Sequence, residues 1–228
     1  MKVYLAGSIF YDSDVLINTI WAQRIRDVFP GIDLYSPIEN TDINGAEGKR
    51  KSATATMIAQ ADNARLDNTD VLFARLDGDL LPVGTSSEIG VMREKVRTGA
   101  HKYTIGILTD NRGSHKTWSE AKFEALKTIG EQQFSYANLY VIGNAKESGI
   151  VVDNINDAIA FLKSKAAEFG QEYIDNVPWS ETLSKAFETF KSLDMFKDVD
   201  DNVTLKSVAS KPYDSEDDET DVEYSKEH

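Results

Sequence analysis

Apolar residues along most of this chain fall into two alternating patterns, short compact runs and longer stretches at helical spacing. The first run, KVYLA at Lys2–Ala6, reads as a buried strand turned by Gly7-Ser8. Val15, Ile17, Ile20, Trp21, Ile25, Val28 and Phe29 then recur at helical intervals, with Asp12, Ser13 and Asp14 as candidate caps and Pro30-Gly31 as the stop. Ile32–Tyr35 predicts a short second strand, so the chain opens β-α-β. A polar stretch, 39–51, predicts a long loop suited to a lid or a plain surface excursion. Thr54–Asp67 follows as a helix, with Met57, Ile58, Ala61, Ala64 and Leu66 available for its buried side.

Val71–Leu76 predicts a third strand and Glu88–Arg97 a third helix, carried by Ile89, Met92 and Val96 and closed by Gly99. Tyr103–Leu108 gives a fourth strand, a polar loop leads to a helix over Ser119–Ile129, and Leu139–Ile142 (LYVI) reads as the fifth strand, ending at Gly143. Ile150–Val152 adds at most a short edge extension, before a helix over Ile155–Phe169. Strands alternating with helices predict a doubly wound five-stranded parallel sheet, a flavodoxin-like or Rossmann-like three-layer α/β sandwich, because parallel neighbours need helical crossovers. The α/β unit is expected over 1–169. A helical extension, with a helix at Trp179–Leu193 whose apolar positions are Leu183, Ala186, Phe187 and Phe190, fills 170–197, and a flexible acidic tail 198–228.

The charge sharpens that division. Of the net −13, the stretch from Asp214 to His228 supplies −7, eight acids against Lys226, and the remainder is −6. Neither part carries the basic face that a phosphate-backbone binder needs, so nucleic acid is not an expected partner. The lack of cysteine excludes disulfides, a thiolate nucleophile and Cys-ligated metal. No basic-then-apolar leader and no apolar run of about 20 residues is seen, which predicts a cytoplasmic protein with no membrane partner. Neither G-x-G-x-x-G nor G-x-x-x-x-G-K-[ST] occurs, so neither dinucleotide nor triphosphate binding is indicated, and His101, His115 and His228 lack metal spacing, so no metal is expected.

Candidate chemistry concentrates in Val71–Gly90, VLFARLDGDLLPVGTSSEIG. A buried strand passes through an acid-rich turn to Gly84-Thr85-Ser86-Ser87 and a helix bearing Glu88. This order puts a carboxylate near a helix N-terminus at the carboxyl edge of a parallel sheet, where ligands bind. Glu88 after a Ser or Thr cap is also an ordinary helix start. Gly84 permits close backbone approach and Thr85 offers a hydroxyl. Asp62, Asp77, Asp79 and Glu88 all belong near that edge; Asp62, within a helix, can equally be only solvated. Carboxylates without metal or thiol suggest glycosyl transfer, one group attacking or stabilising an oxocarbenium-like carbon while another manages the leaving group's proton.

KVYLAGSIF, Asp62 eight residues before Asp70-Val71, LDG, GTSSEIG and the late NLYVIG together resemble the nucleoside 2-deoxyribosyltransferase family over Lys2 to about Leu162. The resemblance implies base exchange on 2-deoxynucleosides through a covalent sugar ester, without cofactor, with nucleosides and free bases as partners. It implies Glu88 as nucleophile, Tyr4 orienting it, Asp62 as a polar group in the nucleoside site and Phe10 packing over substrate. Asn138 would reach a neighbouring subunit's sugar site, in a dimer or hexamer with shared sites. Gly7, Asp79, Gly84 and Thr85 complete the expected substrate-binding set, and Asp77, ending a rigid strand, is the expected proton donor. An N-glycosidase on the same scaffold, or a nucleoside-binding regulatory module, are the alternatives. The chain departs from the family where Pro82 stands in place of the usual acid, and at Thr41, where some members have Gln.

Overall fold

The computed structural model describes residues 1–40, 54–78, 80–109 and 137–193, all within one unit spanning residues 1–194. Five strands, β1 (Lys2–Ala6), β2 (Asp33–Tyr35), β3 (Val71–Arg75), β4 (Tyr103–Ile107) and β5 (Gly149–Val152), form one sheet in the order β2-β1-β3-β4-β5. Every pairing is parallel. The order reverses between β1 and β3, which makes the crevice above their carboxyl ends the switch point of a doubly wound fold.

Six helices are described: α1 (Asp12–Val28), α2 (Ala55–Asp67), α3 (Val83–Arg97), α4 (Leu139–Glu147), α5 (Ile155–Ala166) and α6 (Trp179–Lys191). Side chains alternate along each strand, so the sheet feeds two cores. Val3, Leu5, Val71 and Phe73 pack with α1 and α5 through Trp21, Ile25, Ile159 and Leu162. Tyr4, Ala6, Leu72 and Ala74 pack on the other face with Leu66 of α2, Ile89 and Met92 of α3, and Ile142 and Ala145 of α4.

Five sequence expectations are corrected. LYVI is the start of α4, not a strand: the Asn138 side chain accepts hydrogen bonds from the backbone N–H of Tyr140 and Val141, and Ile142 and Ala145 bury one helical face while Tyr140 is 79% exposed. Strand five is instead Gly149–Val152, expected only as an edge extension. Its first residue must be glycine, because a Cβ at 149 would lie 1.9 Å from the Thr104 carbonyl oxygen of β4. α2 buries only Leu66; Met57 and Ile58 are exposed. α3 begins at Val83 with Pro82 as its cap residue, so no Ser or Thr caps it; Ser86 and Ser87 hydroxyls donate back to the carbonyls of Pro82 and Val83.

The last correction concerns α6, which packs on α1 with a face one position round from the expected one. Thr182 and Ala186 are buried, whereas Leu183 and Phe187 are exposed. Asp27 of α1 accepts from Thr182 Oγ1 at 2.8 Å and pairs with Lys185 at 2.8 Å, while the Arg24 guanidinium lies 4.3 Å over the Trp179 ring and donates to the Val177 carbonyl. Polar pairing to α1 thus sets the register of this helix more than its apolar stripe does. Most of the expected 39–51 loop, Thr41, the expected 119–129 helix, Asp79 and the acidic tail lie outside the described residues.

Candidate functional site

Tyr4 lies in β1, next to the switch point, and its side chain is 1% exposed. Its face of the sheet carries α2 and α3, so its phenol extends toward side chains from both helices. The hydroxyl donates to Glu88 Oε1 at 2.7 Å, and Asp62 Oδ1 lies 3.5 Å away at the edge of hydrogen-bond distance. Three residues separated by 58 and 84 positions along the chain therefore meet at one oxygen.

The electrostatics follow from two carboxyls and a phenol meeting with no cation beside them among the described residues. Burial raises the Glu88 carboxyl to about 7; the hydrogen bond from Tyr4 opposes the rise and the neighbouring Asp62 adds to it. Asp62 is also raised by burial, again opposed by Tyr4. The phenol itself is pushed up, first by burial and then by the Glu88 charge, and so remains a hydrogen-bond donor. With its carboxyl raised to about 7, Glu88 is placed to change protonation state near neutral pH.

Behind Tyr4 stands Tyr35, its ring centroid 4.9 Å away, itself covered by the Arg65 guanidinium at 4.7 Å and receiving a hydrogen bond from the Asn40 side chain at 3.1 Å. Sequence reasoning missed this support. The signal was present in the pairing of Tyr4 with Tyr35, since the two lie in register on neighbouring strands.

The remaining expected residues separate. Thr85 is buried at the start of α3, one turn before Glu88. Gly84 is exposed, and a Cβ there would meet nothing within 4 Å, so the fold does not itself require glycine at that position. Phe10 is 81% exposed in the segment that follows β1. Asn138 is exposed at the head of α4 with its side-chain oxygen engaged as the helix cap. Asp77 follows β3, but both its oxygens accept from Thr109, one from the backbone N–H at 2.6 Å and one from the hydroxyl at 2.9 Å. That carboxylate ties the end of β3 to the end of β4.

Gly7 lies beside a second cluster the sequence did not announce. Arg75, at the end of β3, pairs with Asp14 of α1 and is 6% exposed. Ser8 donates its hydroxyl to the other Asp14 oxygen, and its carbonyl accepts from Asn18 at 2.8 Å and from Arg75 at 3.4 Å. A cation closing an apolar strand was the available signal, because a charge there requires a counter-ion.

Among the described residues no group of three or more His, Cys, Asp or Glu side chains is arranged to hold a metal ion, and no helix is long and apolar enough to cross a membrane.

Comparison with known proteins locates the chain. The profile of a family described as nucleoside 2-deoxyribosyltransferase matches residues 3–157. A solved structure titled as a conserved protein from Enterococcus faecalis V583 is similar at 35% identity and a TM-score of 0.59, over 72% of this chain and 98% of that one. A search of curated proteins finds no match.

Proposed function

The chain belongs to the nucleoside 2-deoxyribosyltransferase family, and from that premise we propose that it exchanges the bases of 2-deoxynucleosides, with Glu88 as the nucleophile. The observation that carries this reading is the 2.7 Å contact between Tyr4 and Glu88 in a crevice at the sheet's switch point, with Asp62 beside them.

In the first half-reaction, a Glu88 carboxylate oxygen bonds to the anomeric carbon as the carbon–nitrogen bond to the base breaks. The bonding pair leaves with the base nitrogen, which takes up a proton, and the sugar remains as an ester on Glu88. In the second, a nitrogen of an incoming base attacks the same carbon, loses its proton, and returns Glu88 to the carboxylate. Two inversions give net retention. Tyr4 orients the carboxylate and keeps one of its oxygens bonded while the other attacks.

The leaving base needs a proton donor within about 3 Å, which Pro82 cannot be. Sequence alone favours Asp77, whereas its two contacts with Thr109 recommend it as a structural tie. Asp62, raised by burial and adjacent to Tyr4, is the better candidate. Asp62→Asn should then slow poor leaving groups more than activated nucleosides, by about tenfold or more, and Asp77→Asn should affect both alike.

Exposed apolar side chains gather at the same edge: Phe10, Met57, Leu80, Val83, Leu139 and Tyr140. Such a patch, with Asn138 at the head of α4, supports a homo-oligomer in which Asn138 completes a neighbour's sugar site. Mixed and re-associated Asn138→Ala and Glu88→Ala chains would then recover part of the activity each lacks.

The deciding experiment is incubation of 2-deoxynucleosides with and without a second free base, followed by chromatography. A new nucleoside that requires the added base supports transfer. Free sugar formed regardless of it would make the chain an N-glycosidase, and binding without any product a regulatory module.

A further inference from the structure

We infer that Arg75 is a positioning residue: through Asp14, Ser8 and Asn18 it clamps the segment between β1 and α1 across the switch point, fixing the wall of the crevice that carries Phe10. The inference rests on the nucleoside-site reading above and extends it to side chains on the opposite face of the sheet from Tyr4.

The clamp spans three elements. Arg75 closes β3, Asp14 and Asn18 belong to the first two turns of α1, and Ser8 lies in the connection between β1 and α1. One Asp14 oxygen takes Arg75 and the other the Ser8 hydroxyl, so a single carboxylate joins the strand end to the loop. The Ser8 carbonyl is gripped separately, by Asn18 Nδ2 at 2.8 Å and Arg75 Nη2 at 3.4 Å. The fit against Gly7 is close: a Cβ there would stand 3.2 Å from Arg75 Cβ and 3.3 Å from Asn18 Oδ1. Gly7 therefore lets the loop cross directly over the arginine.

Stability alone is a weak reason for this arrangement. Desolvating an ion pair offsets much of its attraction, and an apolar replacement is often neutral or better. Here Arg75 Nε and Asn18 Oδ1 are also buried without a hydrogen-bond partner among the described residues, each a further desolvation cost. What the cluster gains is a fixed path for four backbone residues beyond the strand that bears Tyr4, up to Phe10, which is 81% exposed. Anchoring a substrate-facing loop by a rigid supporting shell is how a site keeps sub-ångström geometry.

The test uses two mild variants of the full chain, Ser8→Ala, which removes one hydroxyl, and Arg75→Lys, which keeps the charge but loses the planar fork. Two readouts are taken. Hydrogen exchange without ligand should rise in the peptide spanning Ala6–Tyr11 in both variants, with β3 and β4 unchanged. Steady-state kinetics should show KM for the nucleoside raised about tenfold, kcat within threefold of the parent and the acidic limb of the pH profile unmoved, and the double variant should be no worse than the poorer single one, since the residues act as a unit. Unchanged exchange in Ala6–Tyr11 would overturn the clamp. Faster exchange there with KM unaltered would overturn its role in the site. If the loop loosens as expected but the parent turns over no nucleoside, it is the proposed function that fails, not the clamp.

Discussion

Two carboxylates flank the carboxyl end of β1, one on each face of the sheet, and the fold drives them in opposite directions. Glu88, on the α3 side, meets a phenol and another acid, and burial lifts it to about 7. Asp14, on the α1 side, is also penalised by burial, but hydrogen bonds from Ser8 and Arg75 and the arginine's charge outweigh that and hold it below the usual range. Depth contributes, since burial is the main cause of the Glu88 rise, but the partners decide the sign: only Asp14 has a cation beside it. A carboxylate given a cation and two donors is locked as a structural anion; one given a single neutral donor stays reactive and is costly to keep.

The largest effect that follows is on catalysis. Glu88→Gln should lower turnover by about 10^4-fold or more with the fold intact, because the covalent route is lost while the side chain keeps its shape. Tyr4→Phe comes next. Loss of a hydrogen bond to a charged group is worth about 1.5–3 kcal/mol, so kcat/KM should fall roughly 10–100-fold. The same bond depresses Glu88, so its removal should also move the acidic limb of the rate profile, expected near 7 in the parent, to higher pH. A limb that moves down would break the assignment of that limb to Glu88.

Stability should show the contrast as a change of sign. Glu88 is raised in the folded chain, so between the unfolded value near 4.5 and about 7 the native state binds the extra proton, and stability falls as pH rises through that window. Glu88→Gln should therefore stabilise the fold at pH 8 by about 2 kcal/mol, less than the full shift would give because the carboxyl is only part-buried. Asp14 is lowered, so its contribution is complete above its unfolded value near 3.8 and is lost as pH falls through the folded one. Asp14→Asn at pH 8 should destabilise by roughly 3 kcal/mol, since it leaves Arg75 buried and unpaired. Urea titrations of both variants at pH 8 provide the comparison, and the same sign in both would contradict it.

How much of this was legible in the sequence depended on where the information was local. Strands β1, β3 and β4 are apolar runs buried on both faces, and their extents are those read from the pattern within a residue. LYVI misled because its β-branched and aromatic residues suit a strand, while the Asn138 cap and the burial of Ile142 and Ala145 decided for a helix. GIVV was undervalued because the demand for glycine at 149 comes from the Thr104 carbonyl on another strand. At the site, the motif around Glu88 was readable, but the Asp77–Thr109 tie and the Arg75 clamp join distant segments, and nothing local announces them.

The central claim is that Glu88 carries the sugar, and mass spectrometry of the chain incubated with a slowly released 2-fluoro sugar analogue of the nucleoside tests it directly. The account predicts the sugar's mass added to the peptide containing Glu88, its disappearance on addition of a free acceptor base, and no adduct in Glu88→Gln. A label on any other residue, or sustained base exchange by Glu88→Gln, would contradict it.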